Sequence, residues 1–309
     1  MCPTADAVWH PGAAWAFIAV SPKRPRMKTP THRIQRMSRH DLGLALHWAA
    51  REGWNPGLHD TEMFHAIDPR GHFMAWVGER PVASISALRY GVGYGFIGLY
   101  IVEPASRGQG LGLAVWHAAL EHLKGCVVAL DGVVEQQHNY MRSGFDLAWR
   151  NRRYSGHGLG PRPAHPAIVR LAGLPFDDLA AYDLAFHPEP RPAFLQTWIR
   201  QRRGTALGWL QDGRLRGYGV RRACVQGHKI GPLCADSPAI AEGLLRALCA
   251  GVASQEAVHL DVPEPNREAV VLMERHGFVA GFPTARMVRG PAPAIDLARQ
   301  YALTALEIG

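Results

Sequence analysis

The two halves of this 309-residue chain share one pattern of short motifs. Ile97-Gly98 recurs as Ile230-Gly231, and Gly144-Phe145 recurs as Gly277-Phe278, both 133 residues later. An apolar run ends in Leu-Asp in each half, at position 131 and again at 261, and each half closes on an arginine-containing β-like segment followed by glycine. Four matches in the same order indicate a duplicated unit of roughly 125 residues, which restricts the chain to tandem folds.

Each unit predicts the same succession of helices and strands. A helix is expected after Ser38 or Asp41, either of which can act as its N-cap, and Asp177-Asp178 marks the corresponding start in the second half. Hairpins are predicted at 73–90 and 206–223, where turn residues separate β-like runs. A further strand, an amphipathic helix at 111–123, a buried strand, a short helix and a final strand complete the first unit. This succession is typical of an α/β (α+β) fold.

Composition shifts divide the chain into five segments. Residues 1–31 are rich in proline, glycine and basic residues and predict a disordered tail, with Met27 as an alternative start of translation. The Pro- and Gly-rich stretch 157–166 predicts a linker. We therefore expect domains at 32–156 and 167–290 and a C-terminal extension at 291–309.

The overall composition is that of a soluble globular protein. Apolar residues make up 47% and charged residues 19%. The five cysteines have neither zinc-site nor CxxC spacing, which favours a reducing cytoplasm and predicts no metal site. The apolar run at 13–20 is too short to span a bilayer, so we expect no membrane partner. The net charge of +8 is compatible with an anionic ligand. It does not by itself predict nucleic-acid binding, because no RNA- or DNA-binding motif accompanies it.

The most informative stretch joins an apolar strand to a helix through a glycine-rich loop. The strand runs from Phe96 to Val102, and glycines follow at positions 108, 110 and 112, where the helix begins. Free N–H groups and the helix dipole make such a terminus an anion site, and Arg107 adds a positive charge. The spacing G-x-G-x-G differs from the Rossmann G-x-G-x-x-G, and the Gly-Lys-Ser/Thr of a P-loop is absent. The sequence therefore predicts a pyrophosphate site of another kind.

This loop resembles the pyrophosphate loop of the GNAT superfamily of N-acetyltransferases, which has Arg-x-x-Gly-x-Gly after an apolar strand. A second GNAT pattern ends in Tyr-x-x-x-Gly-Phe, and the first half matches it with Tyr140. The second half keeps the pattern's Asn266 and Ala269 but has Met273 in place of the tyrosine. The resemblance implies two tandem GNAT-like domains, each with a mixed, mainly antiparallel sheet flanked by helices, as in bacterial tandem GNAT proteins.

The second unit departs from the GNAT pattern at the loop. At the 133-residue offset, Ile240, Gly243 and Leu245 replace Arg107, Gly110 and Gly112. We therefore expect a degenerate second domain and a single acyl-CoA site in the first.

The resemblance implies an acyl-CoA-dependent N-acyltransferase, with acetyl-CoA as donor and a small-molecule amine or a peptide as acceptor. Tyr140 would protonate the leaving thiolate. Asp131 ends a strand next to the expected cofactor cleft and is either the general base or a cap of the following turn. Glu103 and Glu135 are alternative bases, and His138 has no supporting pattern. The predicted cofactor-binding residues are Ile101, Val102, Arg107, Gly108, Gln109, Gly110, Leu111 and Gly112. The predicted acceptor-binding residues, in the segment between the first two helices, are Trp54, Asn55 and Asp60.

Two other functions remain open at this point. The chain could be a non-catalytic acyl-CoA sensor or structural protein built from GNAT folds, or a nucleic-acid-binding module that uses its arginines. Thiol release from acetyl-CoA identifies the enzyme, and a steep salt dependence of binding identifies a nucleic-acid partner. The sequence leaves the oligomeric state open, a homodimer included.

Overall fold

The computed structural model describes residues 30–160 and 165–309. The predicted tail lies almost wholly outside these residues, as does the middle of the predicted linker. The strands of the described chain are β1 (Arg33–Arg36), β2 (His72–Val77), β3 (Arg80–Tyr90), β4 (Tyr94–Val102), β5 (Val127–Val133), β6 (Asp146–His157), β7 (Ile168–Arg170), β8 (Thr205–Gln211), β9 (Arg214–Ala223), β10 (His228–Ala235), β11 (Ala257–Pro263), β12 (Val279–Arg289) and β13 (Gln300–Ala302). The helices are α1 (Arg39–Arg51), α2 (Asp60–Ile67), α3 (Leu111–His122), α4 (Gln137–Arg142), α5 (Phe176–Asp183), α6 (Pro192–Trp198), α7 (Pro238–Cys249) and α8 (Arg267–Arg275).

Local sequence accounts for several of these boundaries. Ser38 caps α1 in a capping box with Asp41, because each residue bonds the other's backbone N–H, at 3.2 and 2.9 Å. The repeated Gly-Phe pairs end α4 and α8. Gly144 and Gly277 have φ of 84° and 73°, a conformation that favours glycine. The Phe145 N–H donates to the Tyr140 carbonyl, which completes a Schellman turn.

All the strands of the described chain join one mixed sheet. Its order is β1-β2-β3-β4-β5-β12-β6-β11-β10-β9-β8-β7, and β13 pairs with β10. The pairs β4–β5 and β10–β11 are parallel and the other pairs are antiparallel. The predicted mixed, mainly antiparallel sheet is thereby confirmed. Helix α3 packs against β2 to β4, and α7 packs against β8 to β10, so the two units bury corresponding helices.

The two units exchange their last strands. β6 belongs to the first unit in sequence but pairs with β11, whereas β12 of the second unit pairs with β5. The exchanged strands also pair with each other and make the sheet continuous. No sequence feature predicts this exchange, because the two final strands have similar patterns and either one fits next to either unit.

Candidate active site

In the first unit, β4 and β5 diverge and form a fork. The two strands pair from Tyr94↔Val127 to Ile97↔Leu130 and then separate. A bulge in β4 turns its end away from β5, since Leu99 has φ of 46° and the register against β3 shifts there. The Ser84 hydroxyl donates to the Leu99 carbonyl at 2.8 Å and holds the bulge. The fork leaves a gap beside the end of β4, where the predicted cofactor residues Ile101 and Val102 lie.

The glycine loop brings a helix N-terminus to this gap. Gly108 and Gly110 have φ of 78° and 81°, so the loop uses a conformation that favours glycine at both positions. Gly110 is the N-cap of α3, and the first N–H to bond inside the helix is that of Ala114, which donates to the Gly110 carbonyl. The N–H groups from Leu111 onward in the first turn precede this bond and are available to an anion.

The polar side chains of the loop brace it internally. Arg107 Nε donates to the Val102 carbonyl at 2.9 Å, and its guanidinium also bonds Glu52, at the end of α1, at 2.8 Å. Gln109 Nε2 donates to the Ala105 carbonyl. These bonds give Arg107 a bracing role in the loop. Its contact with the anion stays a prediction, beside the backbone N–H groups of the loop.

Helix α3 also lies unusually close to the strands beneath it. A Cβ on Gly112 would come within 2.8 Å of the Tyr100 hydroxyl and 2.9 Å of Val102 Cγ2. The glycine at this position therefore brings the helix N-terminus against the end of β4.

The second unit has no comparable loop. Only Asp236 and Ser237 separate β10 from α7, whereas eight residues separate β4 from α3. The N-terminus of α7 is already occupied, since the Ser237 hydroxyl accepts from the Ile240 N–H and Pro238 contributes no N–H. The predicted correspondence of Ile240, Gly243 and Leu245 with the loop residues was therefore wrong, because the loop is deleted rather than substituted.

The chain's own C-terminal segment fills the fork of the second unit. β10 and β11 pair over two positions, and β13 then takes the place beside β10. The Leu303 N–H donates to the Asp261 carbonyl at 2.8 Å, on the β11 side of the fork. Asn266 Nδ2 holds the segment through the carbonyls of Ala298 and Gln300. This fork is closed to a ligand that would pair with its strands.

The same segment continues to the fork of the first unit. Residues 303–308 are all less than 10% exposed. A Cβ on Gly231 would lie 2.4 Å from the Leu303 carbonyl oxygen, and one on Gly98 would lie 2.1 Å from the Glu307 carbonyl oxygen. The repeated Ile-Gly pairs therefore leave room at both forks for one extended segment, a role that the sequence did not suggest.

Two cavities meet at Tyr140. The larger contains about 630 Å³ of empty space, its open mouth included, and lies at the first fork. Its lining includes Trp54, Leu130, Tyr140, Arg153, Phe282, Leu306 and Glu307. The smaller lies between α3 and α4 and is lined by Tyr100, Leu113, Trp116, Gln136, Asn139, Tyr140 and Ser143. Tyr140 is thus placed between a channel on the α3 side and a pocket on the side of the C-terminal segment.

Close packing fixes the ring of Tyr140. The ring lies 5.7 Å from that of Trp116, and a Cβ on Gly132 would meet Tyr140 Cε2 at 2.4 Å. Burial raises the pKa of Tyr140, so the phenol stays protonated at neutral pH. In the second unit Met273 occupies the equivalent position before the Gly-Phe turn and is fully buried.

Asp131, the predicted base, forms a closed ion pair. Its side chain is 0% exposed and accepts two bonds of 2.7 Å from Arg286. Burial raises the pKa of Asp131, and the charge of Arg286 opposes that rise. Asp261 of the second unit pairs in the same way with Arg153, at 2.7 and 3.0 Å. Each aspartate thus pairs with an arginine on the strand that comes from the other unit. This position indicates a structural role for Asp131 rather than the predicted catalytic one.

The predicted acceptor residues separate in the structure. Trp54 lines the larger cavity. Asn55 instead exchanges two hydrogen bonds with the backbone of Gln226 in the second unit. Asp60 is fully buried, accepts from the Gly57 N–H and faces Arg222 at 3.2 Å. Asn55 and Asp60 therefore hold the units together, and the prediction that they contact the acceptor does not fit this geometry.

Comparisons with known proteins agree with the fold and with the tandem arrangement. A sequence model described as "Acetyltransferase (GNAT) family" matches residues 40–145, and one described as "Acetyltransferase (GNAT) domain" matches residues 179–302. The chain is 31% identical over 264 residues to holothin acyltransferase of Pseudoalteromonas sp. (strain SANK 73390), covering 85% of this chain and 89% of that protein. The chain belongs to the GNAT acetyltransferase family.

Solved GNAT structures have the same fold at low sequence identity. A putative acetyltransferase from Pyrococcus horikoshii superposes with a TM-score of 0.77 at 22% identity, over 90% of this chain and 96% of that one. A tandem GNAT protein from the clavulanic acid biosynthesis pathway superposes with a TM-score of 0.57 at 15% identity, over 85% and 100% of the two chains. The expected tandem GNAT fold is confirmed.

GNAT proteins use an acyl-CoA donor, and the free N–H groups at the start of α3 fit its pyrophosphate. In the described residues no group of three or more His, Cys, Asp or Glu side chains is placed to hold a metal ion. No helix among these residues is long and apolar enough to cross a membrane.

Several residues of the larger cavity were missed by sequence reasoning. Arg153 and Phe282 come from the exchanged strands, and Leu306 and Glu307 come from the C-terminal segment. The apolar stretch 301–306 was a visible signal of burial, but nothing in it indicates which surface it covers.

Proposed function

We propose that this protein transfers an acetyl group from acetyl-CoA to a primary amine by direct attack of the amine on the thioester. The observation that carries the proposal is the position of Tyr140 between the channel next to the α3 N-terminus and the pocket at the fork. A donor held on the α3 side and an acceptor held in the larger pocket would meet at this phenol. All of these groups come from a single chain, and we expect it to act in the cytoplasm.

The residues of the chain have distinct tasks in this scheme. The loop N–H groups bind the diphosphate, and Arg107 keeps the loop in place. The amine nitrogen forms the new bond to the acyl carbon and gives its surplus proton to a base on the acceptor side. The C–S bond breaks at the same time, and sulfur gains negative charge. Tyr140 donates a hydrogen bond to that sulfur. An ordinary thiol has a pKa near 8.5, below the raised pKa of the phenol, so Tyr140 stabilises the thiolate without surrendering its proton completely.

The exchange of Tyr140 for phenylalanine tests this scheme. Tyr140→Phe keeps the ring packing on Trp116 and removes only the hydroxyl. We expect kcat to fall by about 10²-fold, the effect of losing one hydrogen-bond donor to a developing negative charge, while the Kd for acetyl-CoA stays within about twofold. Thiol release from acetyl-CoA with a panel of primary amines measures the first quantity, and calorimetry measures the second.

Tyr154→Phe serves as the control, because it makes the same change at a buried tyrosine in the core of the second half. Wild-type turnover by Tyr140→Phe would contradict the role of the hydroxyl. Binding of acetyl-CoA without thiol release for any amine would instead favour a non-catalytic acyl-CoA sensor.

A further inference from the structure

Glu307 is a buried carboxylate that the reaction scheme above does not use. It belongs to the C-terminal segment, is 3% exposed and lines the larger cavity. Its Oε2 atom is buried and has no hydrogen-bond partner within residues 30–160 and 165–309. An unpaired buried carboxylate oxygen is unfavourable unless a ligand or a strong field compensates it.

Three cations lie around Glu307. Arg153, Arg222 and Lys229 lie close enough to act on its charge. Arg153 donates to Asp261 at 2.7 and 3.0 Å and to the Trp54 carbonyl at 3.0 Å. Arg222 faces Asp60 at 3.2 Å, and its Nε and Nη2 atoms have no hydrogen-bond partner among the described residues. Lys229 Nζ donates to the Trp54 carbonyl at 2.9 Å. These groups supply a positive field for the Glu307 carboxylate, and their short contacts go to other acceptors.

The second carboxylate that lines the cavity is closed to an amine. The Asp131 carboxylate is closed by Arg286, and Thr284 Oγ1 accepts from Asn151 at 3.4 Å. In the proposed scheme the Tyr140 hydroxyl donates its hydrogen bond to the sulfur of the donor. Of the two carboxylates that line the cavity, Glu307 therefore offers an incoming cationic donor an oxygen that has no partner among the described residues.

The remaining surface of the cavity is mainly apolar and aromatic. It is contributed by Trp54, Ile97, Leu99, Leu130, Val133, Phe282 and Leu306. Such walls bury a compact apolar or aromatic body and repel a highly charged one. Trp54 lies on the cavity with its Nε1 buried and without a partner among the described residues, so one more donor is available there.

We propose that Glu307 binds the amino group of the acceptor and removes its proton, and that the acceptor is a compact primary amine with an aromatic or similarly apolar body. This assignment rests on the proposed acetyl transfer. The nitrogen forms the bond to the acyl carbon, its surplus proton passes to the Glu307 carboxylate, and the thiolate leaves with the electrons of the C–S bond. Glu307 acts directly on the substrate, although it lies in the second half of the chain.

The test compares Glu307→Gln with wild type, using 2-phenylethylamine as acceptor and 2-phenylethanol as its isostere without the amine. We expect the variant to raise the KM for the amine at least tenfold and to lower kcat at least tenfold, because Gln keeps the shape but cannot take a proton. The Kd for acetyl-CoA and the inhibition constant for the alcohol should stay unchanged. Glu79→Gln is the matched control, since that side chain is 93% exposed in a surface turn.

Glu307→Asp covers the case in which Gln prevents folding. It keeps the charge but withdraws it by one methylene, so KM should rise while the acetyl-CoA Kd stays constant. Unchanged KM and kcat in a folded Glu307 variant would overturn the proposal, as would a wild-type enzyme that acetylates other amines but not 2-phenylethylamine.

Direct binding separates this proposal from the acetyl transfer on which it rests. If wild type binds acetyl-CoA but releases no thiol with any amine, the acetyl transfer is wrong. Calorimetry of the two phenyl compounds then decides the site alone. Preference for the amine in wild type and its loss in Glu307→Gln supports the amine site, and equal binding of both compounds to wild type overturns it.

Discussion

The two reciprocal ion pairs allow a direct test of whether Asp131 is structural or catalytic. Asp131–Arg286 and Asp261–Arg153 have nearly the same geometry, but only the first lies in the unit that has the glycine loop. Asp131→Asn and Asp261→Asn each leave a buried arginine without a charged partner. Breaking a buried pair in this way costs about 3–5 kcal/mol. With a urea m-value of about 3 kcal/mol/M, each variant should lower the unfolding midpoint by about 1–1.7 M.

Kinetics and a double variant complete this test. If Asp131 is structural, both Asn variants should keep, while folded, a pH profile of kcat like that of wild type. Arg286→Met added to Asp131→Asn removes the unpaired charge and should recover part of the lost stability. The structural assignment would be refuted if Asp131→Asn kept wild-type stability but lost kcat and the basic limb of its pH profile while Asp261→Asn kept both.

Two further predictions concern packing and pH. Gly132→Ala should push the Tyr140 ring aside, because the new Cβ would lie 2.4 Å from it. The variant should have a lower kcat and an unchanged Kd for acetyl-CoA. Gly173→Ala is the control for both measurements, because a Cβ there would have nothing within 4 Å. Burial lowers the pKa of His72 to about 4, so the folded state keeps it neutral while the unfolded chain takes up a proton below about pH 6.5. The neutral His72 therefore contributes roughly 3 kcal/mol of stability that should be lost as pH falls from 6.5 to 4. His72→Gln lacks this titration, so its urea unfolding midpoint should fall less steeply with acid than that of wild type. An equal fall in both proteins would contradict this prediction.

The sequence predicted what local chemistry determines. The Ser38 cap, the hairpins and the glycine loop with its helix depend on residues close together in the chain, and each is found where expected. The Gly-Phe repeats predicted equivalent helix ends, which places Tyr140 and Met273 in corresponding positions.

Long-range pairing was beyond the reach of the sequence. The two final strands have similar patterns, and each unit has both a Leu-Asp motif and an arginine-containing final strand. The sequence alone therefore does not determine which arginine pairs with which aspartate, and the structure pairs them across the exchange. The same ambiguity made Asp131 look like a free base at the end of a strand. The course of residues 303–309 through both forks depends on contacts with Gly231 and Gly98, which are more than 70 and more than 200 residues away in the chain. No local sequence pattern predicts contacts at such separations.

The stoichiometry of acetyl-CoA binding tests the central claim most directly. One loop with free N–H groups and one fork filled by the C-terminal segment predict one molecule bound per chain in calorimetry. Gly110→Asp should abolish that binding, because its carboxylate would compete for the same N–H groups and repel the diphosphate. Gly125→Asp, at another exposed glycine with φ of 85°, controls for backbone strain and should bind normally. Two equivalent sites per chain, or normal binding by folded Gly110→Asp, would contradict the account.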